Sequence, residues 1–235
     1  MSARHRVSKL LLRQRIVYSG GKAWTGVRDT WLRQQRFELA GLQMAYDSAY
    51  ETMLATTARR DRFDKAIAVM AADSPFTPVT RRLGCLRGVS TLTAFSLAVE
   101  IGDWQRLSGR SIGAYLGMTP TEYASGQSRS QGGITKTGNG HAHRLLIEAA
   151  RHHRAPYRAA GLELRRRWDR APALAATRGH AGNRRLHQRW QNFIDRKKSP
   201  VIANAAIARE LTGRWPCSRT DPHRCPSGPL MMTAA

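Results

Sequence analysis

Cysteine is almost absent: Cys85, Cys217 and Cys225 are the only three in 235 residues. So few thiols build no disulfide framework, which excludes the small secreted scaffolds held by several bridges. Cys85 sits in an apolar stretch and reads as a small core residue. Cys217, His223 and Cys225 fall short of a four-ligand set, and their spacing matches no standard zinc pattern, so no metal is expected there. Long apolar runs are missing as well. The best, Thr91 to Val99, stops at Glu100, far short of the ~20 residues that span a bilayer. The N-terminus has no apolar core of signal-peptide type. It lacks acids before Asp29, as an organellar transit segment does, but a basic helix fits better because the basic character runs along the whole chain.

Acidic residues are the second scarcity. There are 16 Asp and Glu against 39 Lys and Arg, a formal net charge of +23. Such an excess repels itself unless a polyanion neutralises it. Nucleic acid is the expected partner, with strongly salt-dependent binding. Lysine is itself rare, limited to Lys9, Lys22, Lys65, Lys136, Lys197 and Lys198. Arginine makes bidentate phosphate contacts that lysine cannot. A GC-rich genome also writes Arg and Ala freely, so the inference rests on charge alone.

What is present reads as mainly α: a helical, coiled-coil-like N-terminal segment, then a compact helical domain. Residues 1–78 form the first region. It holds a basic helix (Val7, Leu10, Leu11) with Ser2 as its only candidate cap, a Gly20-Gly21 turn, and a second helix around Trp31. From 39 to 72 a seam steps by three and four through Leu39, Leu42, Tyr46, Ala49, Met53, Thr56, Arg60, Phe63, Ile67 and Met70. It suits either a coiled-coil dimer or an intramolecular helix pair with residues 1–36. Two prolines in 73–78 end it.

Residues 79–155 read as the compact core. Gly88-Val89-Ser90 is a tight turn between two helices, the second apolar (Leu92, Phe95, Leu97, Val99). It is either a helix-hairpin-helix element, which aims backbone N–H groups at a DNA phosphate, or a plain αα-turn. Between Leu116 and Asn139 lies a long polar stretch of Gly, Ser and Thr carrying Arg129 and Lys136. It reads as a loop that either cradles a phosphodiester backbone or is simply solvated. Residues 156–215 read as a basic helical extension, with Arg165-Arg166-Arg167 and Arg184-Arg185 near Trp168 and Trp190. These tryptophans can stack on bases or pack in the core. Residues 216–235 read as an unstructured tail.

Three blocks carry a family resemblance. They are Leu86-Arg-Gly-Val-Ser-Thr-Leu-Thr-Ala94 with Glu100-Ile-Gly-Asp103; Ala114-Tyr-Leu-Gly-Met-Thr-Pro120 with Tyr123-Ala-Ser-Gly126; and Gly133-Ile-Thr-Lys-Thr-Gly-Asn139 with Arg144-Leu-Leu-Ile-Glu-Ala-Ala150. In this order they resemble the C-terminal part of insertion-sequence transposases of the IS116/IS110/IS902 family. The resemblance implies a DNA recombinase with a two-part active site. An N-terminal RNase H-like nuclease domain supplies metal-binding carboxylates, and the C-terminal part supplies a serine that links covalently to a DNA phosphate. Some members use an element-encoded guide RNA.

The family writes Ser-Ser-Gly where this chain has Ala124-Ser125-Gly126. The second serine is kept as Ser125; if the first mattered, it is lost to Ala124. Ser125 is thus the expected nucleophile. Gly88, Val89, Ser90, Gly126, Arg129, Lys136, Thr137 and Arg144 are the expected DNA contacts, and Ser128 and Ser130 are rival hydroxyls. Serine needs activation by a base or metal, and nearby cations stabilise charge on the phosphoryl oxygens. The family's acidic tetrad is expected upstream of position 1, and the scattered Asp47, Glu51, Asp61 and Asp64 offer no replacement. Asp103 reads as a cap for the next turn. The sequence therefore reads as a transposase fragment without its metal-binding half, inactive alone, with Mg²⁺ needed only alongside that half. The alternative is a noncatalytic nucleic-acid-binding dimerisation module. A homo-oligomer and a cytoplasmic, nucleoid-associated bacterial location are expected, with no membrane partner.

Overall fold

The computed structural model describes residues 2–21, 24–107, 111–125 and 128–213. The chain is mainly α and forms two compact units, Met1–Ala66 and Ile67–Ala235.

The first unit holds α1 (Ala3–Arg13), α2 (Gly26–Arg33) and most of α3 (Ala40–Ala72). Ser2 does cap α1, its hydroxyl accepting the His5 N–H at 3.4 Å. Val7, Leu11, Leu32, Tyr46 and Met53 form the core. Tyr46 buries its ring while its hydroxyl donates to the Leu32 carbonyl at 2.7 Å, which avoids an unpaired buried O–H. The α3 seam is therefore covered within the chain from Tyr46 to Met53. Farther along, Phe63 is 62% exposed and Met70 48%.

The second unit continues with α4 (Thr77–Leu83), α5 (Thr91–Ile101), a 3₁₀ turn (Trp104–Arg106), α6 (Ser111–Tyr115), β1 (Pro120–Ser125), β2 (Ser128–Ile134), α7 (Gly140–Arg151), α8 (Leu162–Asp169), α9 (Ala173–Asp195) and α10 (Pro200–Gly213). One core joins α4 and α5 to α7, α9 and α10. Leu83, Leu97, Ile101, Leu146, Leu186, Trp190, Ile207 and Leu211 all belong to it, so the basic segment after 155 supplies core residues. Its charges also hold it together, since Glu210 on α10 bridges Arg185 at 2.8 Å and Arg189 at 2.9 Å on α9.

The α4–α5 turn is clamped from α8 and α9. Asn183, fully buried, accepts from the Arg87 N–H at 2.9 Å and donates to the Cys85 carbonyl at 3.3 Å. Trp168 donates its indole N–H to the same carbonyl at 3.0 Å. A side chain at Gly179 would collide with Cys85, so glycine permits this close approach. Cys85 is buried, and burial pushes its thiol up to about 11. Trp168 and Trp190 thus act in packing, Trp190 being only 5% exposed.

The polar stretch after Leu116 is not a loop throughout. It forms a two-stranded antiparallel ribbon, β1 against β2. Sequence hides this because most of both strands is exposed, so no apolar–polar alternation marks them. Gly126, the Arg129 side chain, the Cys217–His223–Cys225 group and the 216–235 tail lie outside the described residues.

Candidate nucleic-acid interface

The ribbon places the expected nucleophile. Ser125 ends β1 and pairs in register with Ser128, the first residue of β2. Both are exposed, and their hydroxyl oxygens lie 3.1 Å apart. Ala124 pairs with Arg129, and Tyr123 with Ser130.

An isolated two-stranded ribbon is marginal in water, and this one is pinned at its base. Thr135 N–H donates to Thr119 O at 2.9 Å, and Lys136 N–H to Gly117 O at 3.1 Å. Gly117 (φ +63°) and Gly138 (φ +98°) take left-handed conformations, and a Cβ on either would overlap a carbonyl oxygen, of Thr137 and Tyr115 respectively. His143 Nδ1–H donates to Leu116 O at 2.9 Å, because a carbonyl can only accept.

Asn139 ties the ribbon to two helices. Its Oδ1 caps α7 by accepting from Ala142 N–H at 2.8 Å, and its Nδ2 donates to Glu100 Oε2 on α5 at 2.5 Å. His141 Nδ1 meets Glu100 Oε1 at 2.7 Å. The bond from Asn139, and then that from His141, holds the Glu100 carboxyl below its usual range. Sequence reasoning missed this cluster as a unit. Its signal was present, because Glu100 and Asn139 lie in two of the motif blocks.

The turn residues occupy a different place. Val89 is 2% exposed, and its carbonyl accepts from the Arg167 guanidinium. Gly88 (φ +82°) sits against α7, where a Cβ would overlap Ala149 O and crowd His152. Ser90 caps α5 by accepting from Thr93 N–H at 3.1 Å. Gly88, Ser90, Thr91 and Thr93 line one wall of a large groove of about 1150 Å³, which Arg158, Arg166 and Arg170 also line. Arg87 lines it too, but its guanidinium is spent on the Ala155 and Pro156 carbonyls at 2.9 and 3.1 Å.

Lys136 lines a second groove instead, with His143, Arg151 and Arg154. Thr137 and Arg144 are exposed, Arg144 on α7. The expected DNA contacts are therefore distributed over the ribbon, the face of α7 and two grooves.

Among the described residues no group of three or more His, Cys, Asp or Glu is placed to hold an ion. Asp61 meets Arg60 at 2.5 Å, and Asp64 lies 3.9 Å from the same guanidinium. Asp103 directly precedes the 3₁₀ turn. No helix among the described residues is long and apolar enough to cross a membrane.

Residues 80–162 match the model of the transposase IS116/IS110/IS902 family. The chain is 31% identical over 218 residues to the Sinorhizobium fredii (strain NBRC 101917 / NGR234) protein named "Putative transposase y4qE", covering 92% of this chain and 52% of that one. It is 27% identical over 198 residues to the transposase for insertion sequence element IS1533 of Leptospira borgpetersenii, covering 83% and 57%. It is 39% identical over 72 residues to the transposase for insertion sequence element IS1328 of Yersinia enterocolitica, covering 30% and 22%. The chain spans about half the length of the first two of these curated relatives.

Proposed function

We propose that the chain belongs to the transposase IS116/IS110/IS902 family, whose model matches residues 80–162, with a likeness to the two curated transposases that runs along most of the chain, and that it is the DNA-binding, serine-bearing part of an insertion-sequence transposase. The observation that carries this is the ribbon, which holds Ser125 exposed at its free end on a base locked by Gly117, Gly138 and Asn139. A nucleophile meant for a phosphate inside a duplex has to project from its domain, and a stiff ribbon base keeps it aimed.

In the proposed reaction Ser125 Oγ attacks a backbone phosphorus. A serine–phosphate bond forms, one deoxyribose oxygen leaves and takes a proton, and the serine proton passes to a base. Arg129, whose backbone pairs with Ala124 beside Ser125, offsets the charge on the phosphoryl oxygens, while Lys136 and Arg144 contact the strand farther along. Mg²⁺ belongs with carboxylates of a nuclease domain, and the described residues do not fit it, so no step here runs through it. The same cationic surfaces suit an element-encoded RNA. The exposed Phe63 on α3 marks the surface for self-association.

The large groove holds the phosphate backbone. A helix's first N–H groups have no partner within the helix. At the start of α5 the Thr93 N–H is taken by Ser90, and Thr91 lines the groove together with Arg158, Arg170 and Arg166, the last paired with Glu163 at 3.0 Å. Replacing these three arginines by alanine tests the assignment. DNA affinity is expected to fall, and the slope of log affinity against log salt to become shallower by about 3. An unchanged slope removes the groove from the interface.

A further inference from the structure

We propose that the second groove, at the base of the ribbon, binds one nucleotide splayed out of a nucleic-acid strand and prefers bases that carry an amino group. This rests on the chain being a nucleic-acid-binding protein and goes beyond it by assigning a base-reading pocket.

The groove has a volume of about 630 Å³, within the ~300–1,000 Å³ range of small-molecule sites. It has three kinds of lining. Ile134, Ile147, Trp190 and Val201 give an apolar surface suited to a planar ring. Lys136 and Arg154 supply cations suited to a phosphate, and Arg151 lines the groove while paired with Glu148 at 3.3 Å. Between them are two acceptors. Asn204 is 9% exposed, and its Nδ2 is fixed by donating to Ile147 O at 3.0 Å. Its Oδ1 is therefore left as an acceptor, and it is buried with no hydrogen-bond partner. A buried polar atom without a partner costs about 1–3 kcal/mol, so a ligand that brings an N–H there recovers it. His143 spends Nδ1–H on Leu116 O, so its Nε2 is an acceptor as well.

Two acceptors, cations and an apolar lining together describe the complement of a nucleotide. An inorganic phosphate would leave both acceptors unused. An apolar ligand would leave the acceptors and the cations unused. Adenine, cytosine and guanine carry exocyclic amino groups with two N–H donors, whereas thymine offers only its N3–H, flanked by two acceptor oxygens. The pocket therefore favours A and C over T. It is not the reaction centre. Ser125 stands five residues beyond Pro120, the base partner of Ile134, or roughly 17 Å along the strand at ~3.3 Å per residue. A base held here anchors the strand while the serine reacts farther along it.

The test measures the whole chain's affinity for homopolymeric A, C and T single strands, in DNA and RNA, and for a duplex. It uses the wild type, Asn204→Leu and Val201→Trp. Val201 is 77% exposed, so a tryptophan there fills the groove without entering the core. The wild type is expected to bind A and C strands about tenfold tighter than T, the scale of one well-held base. Both variants are expected to lose that preference while duplex affinity stays within about twofold. Competition by free AMP would assign the pocket to free nucleotides as well as strands, and a preference for RNA strands would assign it to RNA. Either result supports a nucleotide pocket. Strand binding with no base preference, or a preference that survives Val201→Trp, overturns this inference and leaves the proposed function intact. Failure to bind any nucleic acid overturns both.

Discussion

Ser125 Oγ and Ser128 Oγ lie 3.1 Å apart across the free end of the ribbon, each able to donate to the other. A hydroxyl is no base at neutral pH, so this contact orients Ser125 and does not activate it. The proposed attack by Ser125 needs an activating base that this contact does not supply, and the placement of Ser125 depends on the ribbon base.

Gly138→Ala is expected to destabilise the second unit by about 1–3 kcal/mol or more. The residue has φ +98°, and an added Cβ would overlap Tyr115 O. Gly133, with nothing within 4 Å of an added Cβ, is the control, and Gly133→Ala is expected to shift stability by less than about 0.5 kcal/mol. Denaturant midpoints of the two variants give the comparison. Equal shifts would mean that the ribbon base is not locked by backbone geometry.

Asn139→Ala removes the α7 cap and the bond to Glu100 together. A lost cap costs typically ~1 kcal/mol. Amide exchange is expected to rise at the start of α7 and in the ribbon, while α9 stays protected. Uniform exchange across the unit would deny the local role.

His153 is expected to make the fold acid-sensitive. It is fully buried, and burial, with Arg87 next in effect, lowers its pKa from 6.5 to about 4. The folded state holds the neutral ring and the unfolded chain the more basic one. Its contribution is therefore complete above pH 6.5 and lost as pH falls through 6.5 towards 4, about 3 kcal/mol in all. Urea unfolding at several pH values measures this. His153→Met is expected to flatten the fall between those limits, and an equally steep fall in the variant would place the acid sensitivity elsewhere.

Binding to duplex DNA is expected to weaken steeply with salt, at the slope of ~6–10 neutralised phosphates. The net charge of +23 is spread along most of the chain, so discrimination between duplex sequences is expected to be poor. A flat salt dependence measured by fluorescence anisotropy would contradict a backbone-dominated interface.

The sequence made the helices legible, along with the Ser2 cap and the burial of Cys85, because each follows from local periodicity or composition. It did not say what covers the α3 seam. Tyr46 and Met53 have the same spacing whether they meet α1 and α2 or a second copy, and only tertiary packing separates the cases. The ribbon was hidden because Thr121, Tyr123 and Ser125 alternate with residues no more apolar than themselves. The Glu100–Asn139–His141 cluster joins residues 39 and 41 positions apart, beyond the reach of any local pattern. Ser125 came from the family motif alone, since nothing in its immediate chemistry separates it from Ser128. The cations that line the grooves, Arg151, Arg154, Arg158 and Arg170, looked like every other arginine in a chain with 39 basic residues.

The most direct measurement is trapping of the covalent protein–DNA adduct. The chain is fused behind an acidic nuclease domain of the same family, supplied with Mg²⁺ and a labelled element end, and resolved under denaturing conditions. The account predicts an adduct with the wild-type sequence, none with Ser125→Ala, and a weakened one with Ser128→Ala or Ser130→Ala. It also predicts no cleavage by the unfused 235-residue chain with any divalent metal, because phosphoryl transfer of this kind needs metal-holding carboxylates. An adduct that survives Ser125→Ala and disappears with Ser128→Ala would contradict the assignment of the nucleophile, and metal-dependent cleavage by the unfused chain would contradict the division of labour itself.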